Sequence, residues 1–132
     1  MGTWNEGSFG NDGAGDWVID LSRMPTLEFI RETLQASIDN PDNANFNEPA
    51  VAAAEVICIL DGKIPADYHE VAHNLEPVIE ILKQQQQISN ELRELAIKCI
   101  DMIATDSEMK ECWEGAEEWV IEINNLKHRL EN

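Results

Sequence analysis

The stretch "DYHEVAHNL" at residues 67–75 places His69, Glu70 and His73 in the order H-E-x-x-H. On a helix, two histidines four residues apart share a face and can hold Zn²⁺ through their imidazole nitrogens. The glutamate between them can act as general base on a metal-bound water. Val71 and Ala72 are suitably uncharged, and Leu75 suits the extended form of the pattern. Asp67 does not, because it stands where that form prefers an uncharged residue. No G-x-x-H follows to supply a third ligand, which leaves Glu76 and Glu80 as the nearest carboxylates. Zinc peptidases of this kind set the metal helix beneath a sheet, and no segment here alternates with a period of two. A small zinc hydrolase on His69, Glu70 and His73 is therefore the alternative reading. The plainer expectation is no cofactor, with both histidines on one side of a short helix, as a spacing of four guarantees.

Three other groups of residues could carry chemistry. Glu55 is the sole charged residue within "AVAAAEVICIL" at 50–60. A carboxylate in an apolar helix is unfavourable unless it is hydrogen-bonded. It is either a poised acid or, as expected here, a tie for the glycine-rich N-terminal segment through backbone N–H groups or the Trp4 indole. Asn11, Asp12 and Asp16 lack the spacing of a calcium loop and read as capping residues for a first helix. Glu111, Glu114, Glu118 and Glu122 step by 3, 4 and 4, which on one continuous helix gathers them within an arc of about 80°. They form either a solvated face or a docking surface for a basic partner. No phosphate-binding glycine loop, dinucleotide fingerprint or Ser-His-Asp signature is present.

A solvated face is the plainer expectation, and the charge of the whole chain bears on the docking alternative. The 132 residues carry 26 acids against 9 bases, for a net charge of −17. The excess is spread along the chain, with 11 acids and 2 bases in residues 1–62. Such a field repels phosphate backbones and anionic membrane surfaces and steers in a basic protein. Cys58, Cys99 and Cys112 are odd in number and contain no C-x-x-C. They fit reduced thiols acting as small core residues, and so the cytoplasm. No signal peptide or membrane-spanning stretch is visible in the sequence.

The elements that must position these groups read as helical almost throughout. Five of the seven glycines fall within the first 15 residues. They predict an irregular segment over 1–11, anchored by Trp4 and Phe9 and packed on a helical bundle. A first helix follows over about 12–22, and a second opens at Pro25 and Thr26. Asn47 is expected to cap a third, with Pro49 in its first turn and Gly62 past its end. That third helix is apolar nearly all round and belongs at the centre. Pro65 opens the segment carrying HEVAH, and Pro77 either kinks it or starts a new helix. A slip in the apolar phase after "QQQQ" predicts a break near Ile88 and a cap at Ser89. Ser107 is expected to cap a last helix running to the C-terminus, with Met109, Cys112, Trp113, Ala116, Val120, Ile123, Leu126 and Leu130 on its inner face. The fold class is all-α, a single-domain bundle of about five to six helices over residues 1–132.

The opening "MGTWNEGSFGNDGAGDW" resembles a bacterial family known as domain of unknown function 4259. The match rests on Gly2, Trp4, Gly7, Phe9, Asn11, Asp12, Ala14 and Asp16. Ser8 and Gly10 depart from that family's usual proline and aspartate. "AVAAAEVICIL" resembles its alanine-rich A-A-A-E helix, and "SEMKECW…LKHRL" resembles its close. The resemblance implies a single bacterial cytoplasmic domain and carries over no catalytic residue. Taken with the charge, it leads to an expected non-enzymatic interaction protein. Its physical type is that of an immunity or inhibitor protein that captures a basic toxin or enzyme and covers its active site. The carboxylates at 111, 114, 118 and 122 would meet the partner. A scaffold or small-ligand binder, with a pocket between the N-terminal segment and the third helix, is a further alternative.

Overall fold

The computed structural model describes residues 12–64, 68–85, 87–113 and 116–131, with the backbone alone for Asp12 and residues 68–74. These residues form seven helices and no strand: α1 (Asp12–Arg23), α2 (Leu27–Asp39), α3 (Ala44–Leu60), α4 (Tyr68–Gln85), α5 (Asn90–Thr105), α6 (Glu108–Cys112) and α7 (Glu117–Glu131). The all-α bundle expected from periodicity is what the chain adopts, with one helix more than expected.

Helix α3 is the hub. Every residue from Ala50 to Ile59 is buried, and the helix packs against each of the other six. Four alanines in this run let neighbouring backbones approach closely. Helix α1 also comes close to α3 at Gly13, where an added Cβ would lie 2.6 Å from Glu48 Oε1 and 3.0 Å from Glu48 Cβ. The helix ends in a left-handed turn at Gly62, whose φ is +85°. Lys63 N–H donates to Cys58 O and Gly62 N–H to Ile59 O, both at 2.9 Å. These bonds satisfy carbonyls that the last turn would otherwise leave open.

The start of α3 corrects the expected cap. The N-cap is Asn43, whose side chain accepts from Asn45 N–H at 3.0 Å, so Pro49 falls in the second turn. Asn43 and Asn47 are equally good caps by type, and burial decides between them. Asn47 is fully buried inside the helix, where its Nδ2 donates to Ser37 Oγ at 3.0 Å and its Oδ1 accepts from Met109 N–H at 3.2 Å. One amide thus staples α2, α3 and α6 together, with its polar atoms satisfied as burial demands.

Helices α1 and α2 pack on this hub through Trp17, Val18, Leu21, Leu27, Ile30 and Leu34. Trp17 stacks on Phe29 with ring centroids 5.9 Å apart. Its indole N–H donates to Thr33 Oγ1 at 2.8 Å, so the large ring is buried without orphaning its polar atom. Thr26 caps α2 and Ser89 caps α5, both as the sequence indicates. Helix α4 runs unbroken through Pro77. Leu75, Val78, Ile79 and Leu82 keep one buried face across the proline.

The C-terminal region departs most from expectation. Ser107 caps α6, a helix of only five residues. The chain turns after Trp113, where Ala116 N–H donates to Trp113 O at 2.9 Å, and α7 starts at Glu117. The restart changes the buried face. Trp119, Ile123, Leu126 and Leu130 are buried, within an arc of about 60° at ~100° per residue. Val120, expected inside, is 47% exposed, and Cys112 is exposed too. Size explains the choice. Trp119 and Val120 point about 100° apart, and the stripe that α7 buries is only about 60° wide, so it takes one of the two. A buried tryptophan removes about 150–250 Å² from water, worth roughly 4–6 kcal/mol, against about 1.5–3 kcal/mol for valine.

Candidate functional site

The one buried carboxylate among the described side chains is Glu55, 1% exposed on the innermost helix. Arg129 of α7, 74 residues away in the chain, donates from Nη2 to Glu55 Oε1 at 2.5 Å. Lys63 Nζ donates to the Arg129 backbone carbonyl at 2.8 Å, which holds this end of α7 against the end of α3. Cys58 lies one turn beyond Glu55. Burial, and then the Glu55 charge, push its thiol up to about 12. Burial likewise pushes Cys99 up to about 12. Both are therefore neutral, weakly reactive thiols at physiological pH. The described geometry makes Glu55 an ionic tie between the middle and the C-terminus of the chain. Arg129 escaped the sequence reading. Its place beside Leu130 is shared in kind by other cations, such as Lys127 beside Leu126, so the sequence does not single it out.

The N-terminal segment expected to meet Glu55, with Trp4, Phe9 and Asn11, lies outside the described residues. Asp12 opens α1. Asp16 is exposed in the second turn, beyond the reach of a capping bond or of the first-turn dipole effect. His69, Glu70 and His73 fall in the first two turns of α4, where the description covers backbone only. Among the described residues, no three His, Cys, Asp or Glu side chains converge as a metal site would require.

The acidic stripe is not a single helical face. Glu111 is on α6, Glu118 and Glu122 are on α7, and Glu114 lies outside the described residues between them. Glu111 and Glu118 are exposed, whereas Glu122 is half-buried. The break between α6 and α7 takes Glu111 out of phase with Glu118 and Glu122. What α7 presents outward is different. Ile121 is 56% exposed and points about 170° from the centre of the buried face. Glu117 and Glu118 flank it at about 40° and 60°. Ala116, Glu117, Val120 and Ile121 line a surface depression of about 630 Å³. No lysine or arginine occurs between Lys110 and Lys127.

Acids and bases are distributed unequally in depth. Every carboxylate whose burial is described is exposed, apart from Glu48, Glu55 and Glu122. Four of the nine cations, Lys63, Arg93, Lys127 and Arg129, are drawn partly inward. Arg93 pairs with Asp61 at 3.0 Å, tying α5 to the end of α3, and Lys127 pairs with Asp101 at 2.7 Å, tying α7 to α5. Arg31 on the surface is held by Glu28. The cations drawn inward are nearly matched by the acids drawn inward, so the exterior keeps the anionic excess of the composition. A depression of about 390 Å³ lined by Leu60, Asp61, Leu82, Lys83, Gln87, Ile88 and Arg93 contains one of these pairs. Among the described residues, no helix is long and apolar enough to cross a membrane.

Fold and site together define an all-helical domain, closed by a buried ion pair and covered in carboxylates. The family model for the domain of unknown function DUF4259 matches residues 2–122, and the chain belongs to that family. No curated protein and no solved structure matches the chain.

Proposed function

We propose that this protein is a non-enzymatic binding partner of a basic protein, acting as immunity or inhibitor proteins do, by electrostatic capture followed by occlusion of the partner's working surface. The observation that supports it is the strongly anionic exterior. Nearly all described carboxylates face out, while four of nine cations are half-buried in bonds within the chain. Folding gains little from such an exterior. Like charges repel by a few tenths of a kcal/mol per neighbouring pair, and net charge of one sign works against the compact state. A basic partner gains from the same field through a faster encounter, and pairs desolvated at the interface centre lengthen the complex's lifetime.

The test is affinity capture on the immobilised protein from its own bacterial lysate, followed by kinetics with each purified captured protein between about 0.05 and 0.5 M NaCl. A basic partner whose association rate falls at least tenfold with salt is expected. Its toxic or enzymatic activity should be suppressed at one-to-one stoichiometry. Recovery of neutral or acidic proteins alone, or association indifferent to salt, would refute the reading.

A further inference from the structure

The outward face at the start of α7 combines two features that solvent does not favour together. Val120 and Ile121 are large, apolar and about half exposed, and they line the 630 Å³ depression with Ala116 and Glu117. Ile121 stands near the pole opposite the buried face, with Glu117 and Glu118 on either side. The depression is open rather than enclosed, so it suits a side chain laid against the surface. An apolar centre with a charged rim is the usual anatomy of a protein interface. What α7 contributes to the rim is of one sign, Glu117 and Glu118, with no lysine or arginine on this helix before Lys127. That sign selects the occupant. A second copy of this chain would set Glu117 and Glu118 against their own kind, and an anionic membrane would be repelled in the same way.

We propose that this face docks an amphipathic segment of a basic protein, in which one or two apolar side chains enter beside Val120 and Ile121 and flanking Lys or Arg residues meet Glu117 and Glu118. The proposal rests on the function proposed above and names the surface and the form of the partner. Such a segment must carry both kinds of residue. Apolar residues alone would leave the carboxylates without partners, and charge alone would leave the depression unfilled. Helical Lys/Leu segments satisfy this at i, i+3, i+4 spacing.

The test uses three synthetic helical peptides of equal length, built from Lys and Leu, from Lys and Ala, and from Glu and Leu. Each is titrated into the full chain, isotopically labelled, and amide shifts are followed by NMR. The Lys/Leu peptide is expected to bind at least tenfold more tightly than the other two, with shifts centred on residues 116–123. The double variant V120S/I121S should weaken it at least tenfold. Both positions are solvent-facing, so the variant should keep the wild-type helical circular dichroism and melting temperature. Equal binding of the Lys/Leu and Lys/Ala peptides, shifts centred elsewhere, or full binding by V120S/I121S would overturn the assignment while leaving capture of a basic partner standing. A concentration-dependent dimer abolished by V120S/I121S would give the face to a second copy and overturn it as well. Failure of salt-dependent capture from the lysate, with the peptide result intact, would refute the broader function alone.

Discussion

Removing Arg129 should destabilise the protein more than removing the Glu55 charge, and removing both should do little harm. Glu55 is 1% exposed and Arg129 is 23% exposed, so the two partners lose different things when parted. Arg129→Met keeps the aliphatic stem but leaves a carboxylate on the innermost helix without its guanidinium. Parting a buried ion pair in this way costs about 3–5 kcal/mol. Water reaching the arginine side of the pair puts the expectation at the lower end. Glu55→Gln leaves a guanidinium that can turn toward solvent, and its loss is about 1.5–3 kcal/mol, as for a hydrogen bond to a charged group. The double variant E55M/R129M replaces both by apolar groups of similar volume and should lie within about 1 kcal/mol of wild type. Unfolding entropy near 2.1 cal/mol/K per residue gives about 280 cal/mol/K for this chain, so 3 kcal/mol lowers Tm by about 11 °C. Urea titrations and thermal melts of the four proteins at pH 7 supply the cycle. Singles that add to the double within about 0.5 kcal/mol would show uncoupled residues and refute the ionic tie.

The register of α7 gives a second prediction. Trp119→Ala should cost about 3–5 kcal/mol and Val120→Ala less than about 0.5 kcal/mol, and the reverse order in urea unfolding would restore the uninterrupted helix. A third concerns the thiols. In the native protein at pH 7.5 a small thiol reagent should label Cys112 at once, while Cys58 and Cys99 react only on unfolding; two or three fast thiols by mass spectrometry would contradict their burial. The sign of their pH effect follows from folded values raised above 9.0 to about 12. The folded chain then holds more protons than the unfolded one in that window. The stabilisation is complete below about pH 9 and is lost as pH rises toward 12, and Cys58→Ala with Cys99→Ala should flatten that decline. A fourth addresses HEVAH. Purified protein should hold sub-stoichiometric zinc, unchanged in His73→Ala, and one equivalent of zinc lost in that variant would restore the hydrolase.

The helices were legible because most of them follow local rules. Thr26, Ser89 and Ser107 are caps by type, Gly62 ends α3 in a conformation that suits glycine, and the apolar run at 50–60 could belong only at the centre. What stayed hidden depends on contacts between distant parts of the chain. Asn47 was a plausible cap until Ser37 and Met109, separated from it by 10 and 62 residues, claimed both ends of its amide. Glu55 announced that it needed a partner, but nine cations were candidates and the spacing singles out none. The last helix misled because residues 116–123 are apolar in two overlapping phases. One phase continues the face of Met109 and Cys112, and the other contains Trp119. Sequence periodicity weighs those phases equally, whereas burial weighs them by area.

That surplus of apolar residues bears on function. Had the chain run straight from Met109 to Leu130, Val120 would be core and the four carboxylates would make a plain solvated stripe. The turn after Trp113 gives the core the larger tryptophan and sends Val120 and Ile121 outward among acids. Neither needs to be there for folding. A serine at either position would leave the buried set Trp119, Ile123, Leu126 and Leu130 untouched. At the other end of the same helix, Arg129 and Lys63 fasten the backbone to α3, so the outward face is carried on an anchored element. An interface needs both an apolar centre that water leaves readily and a support that does not rearrange when it is covered. Binding to this face should therefore depend on the tie between Glu55 and Arg129 even though neither residue would touch the partner.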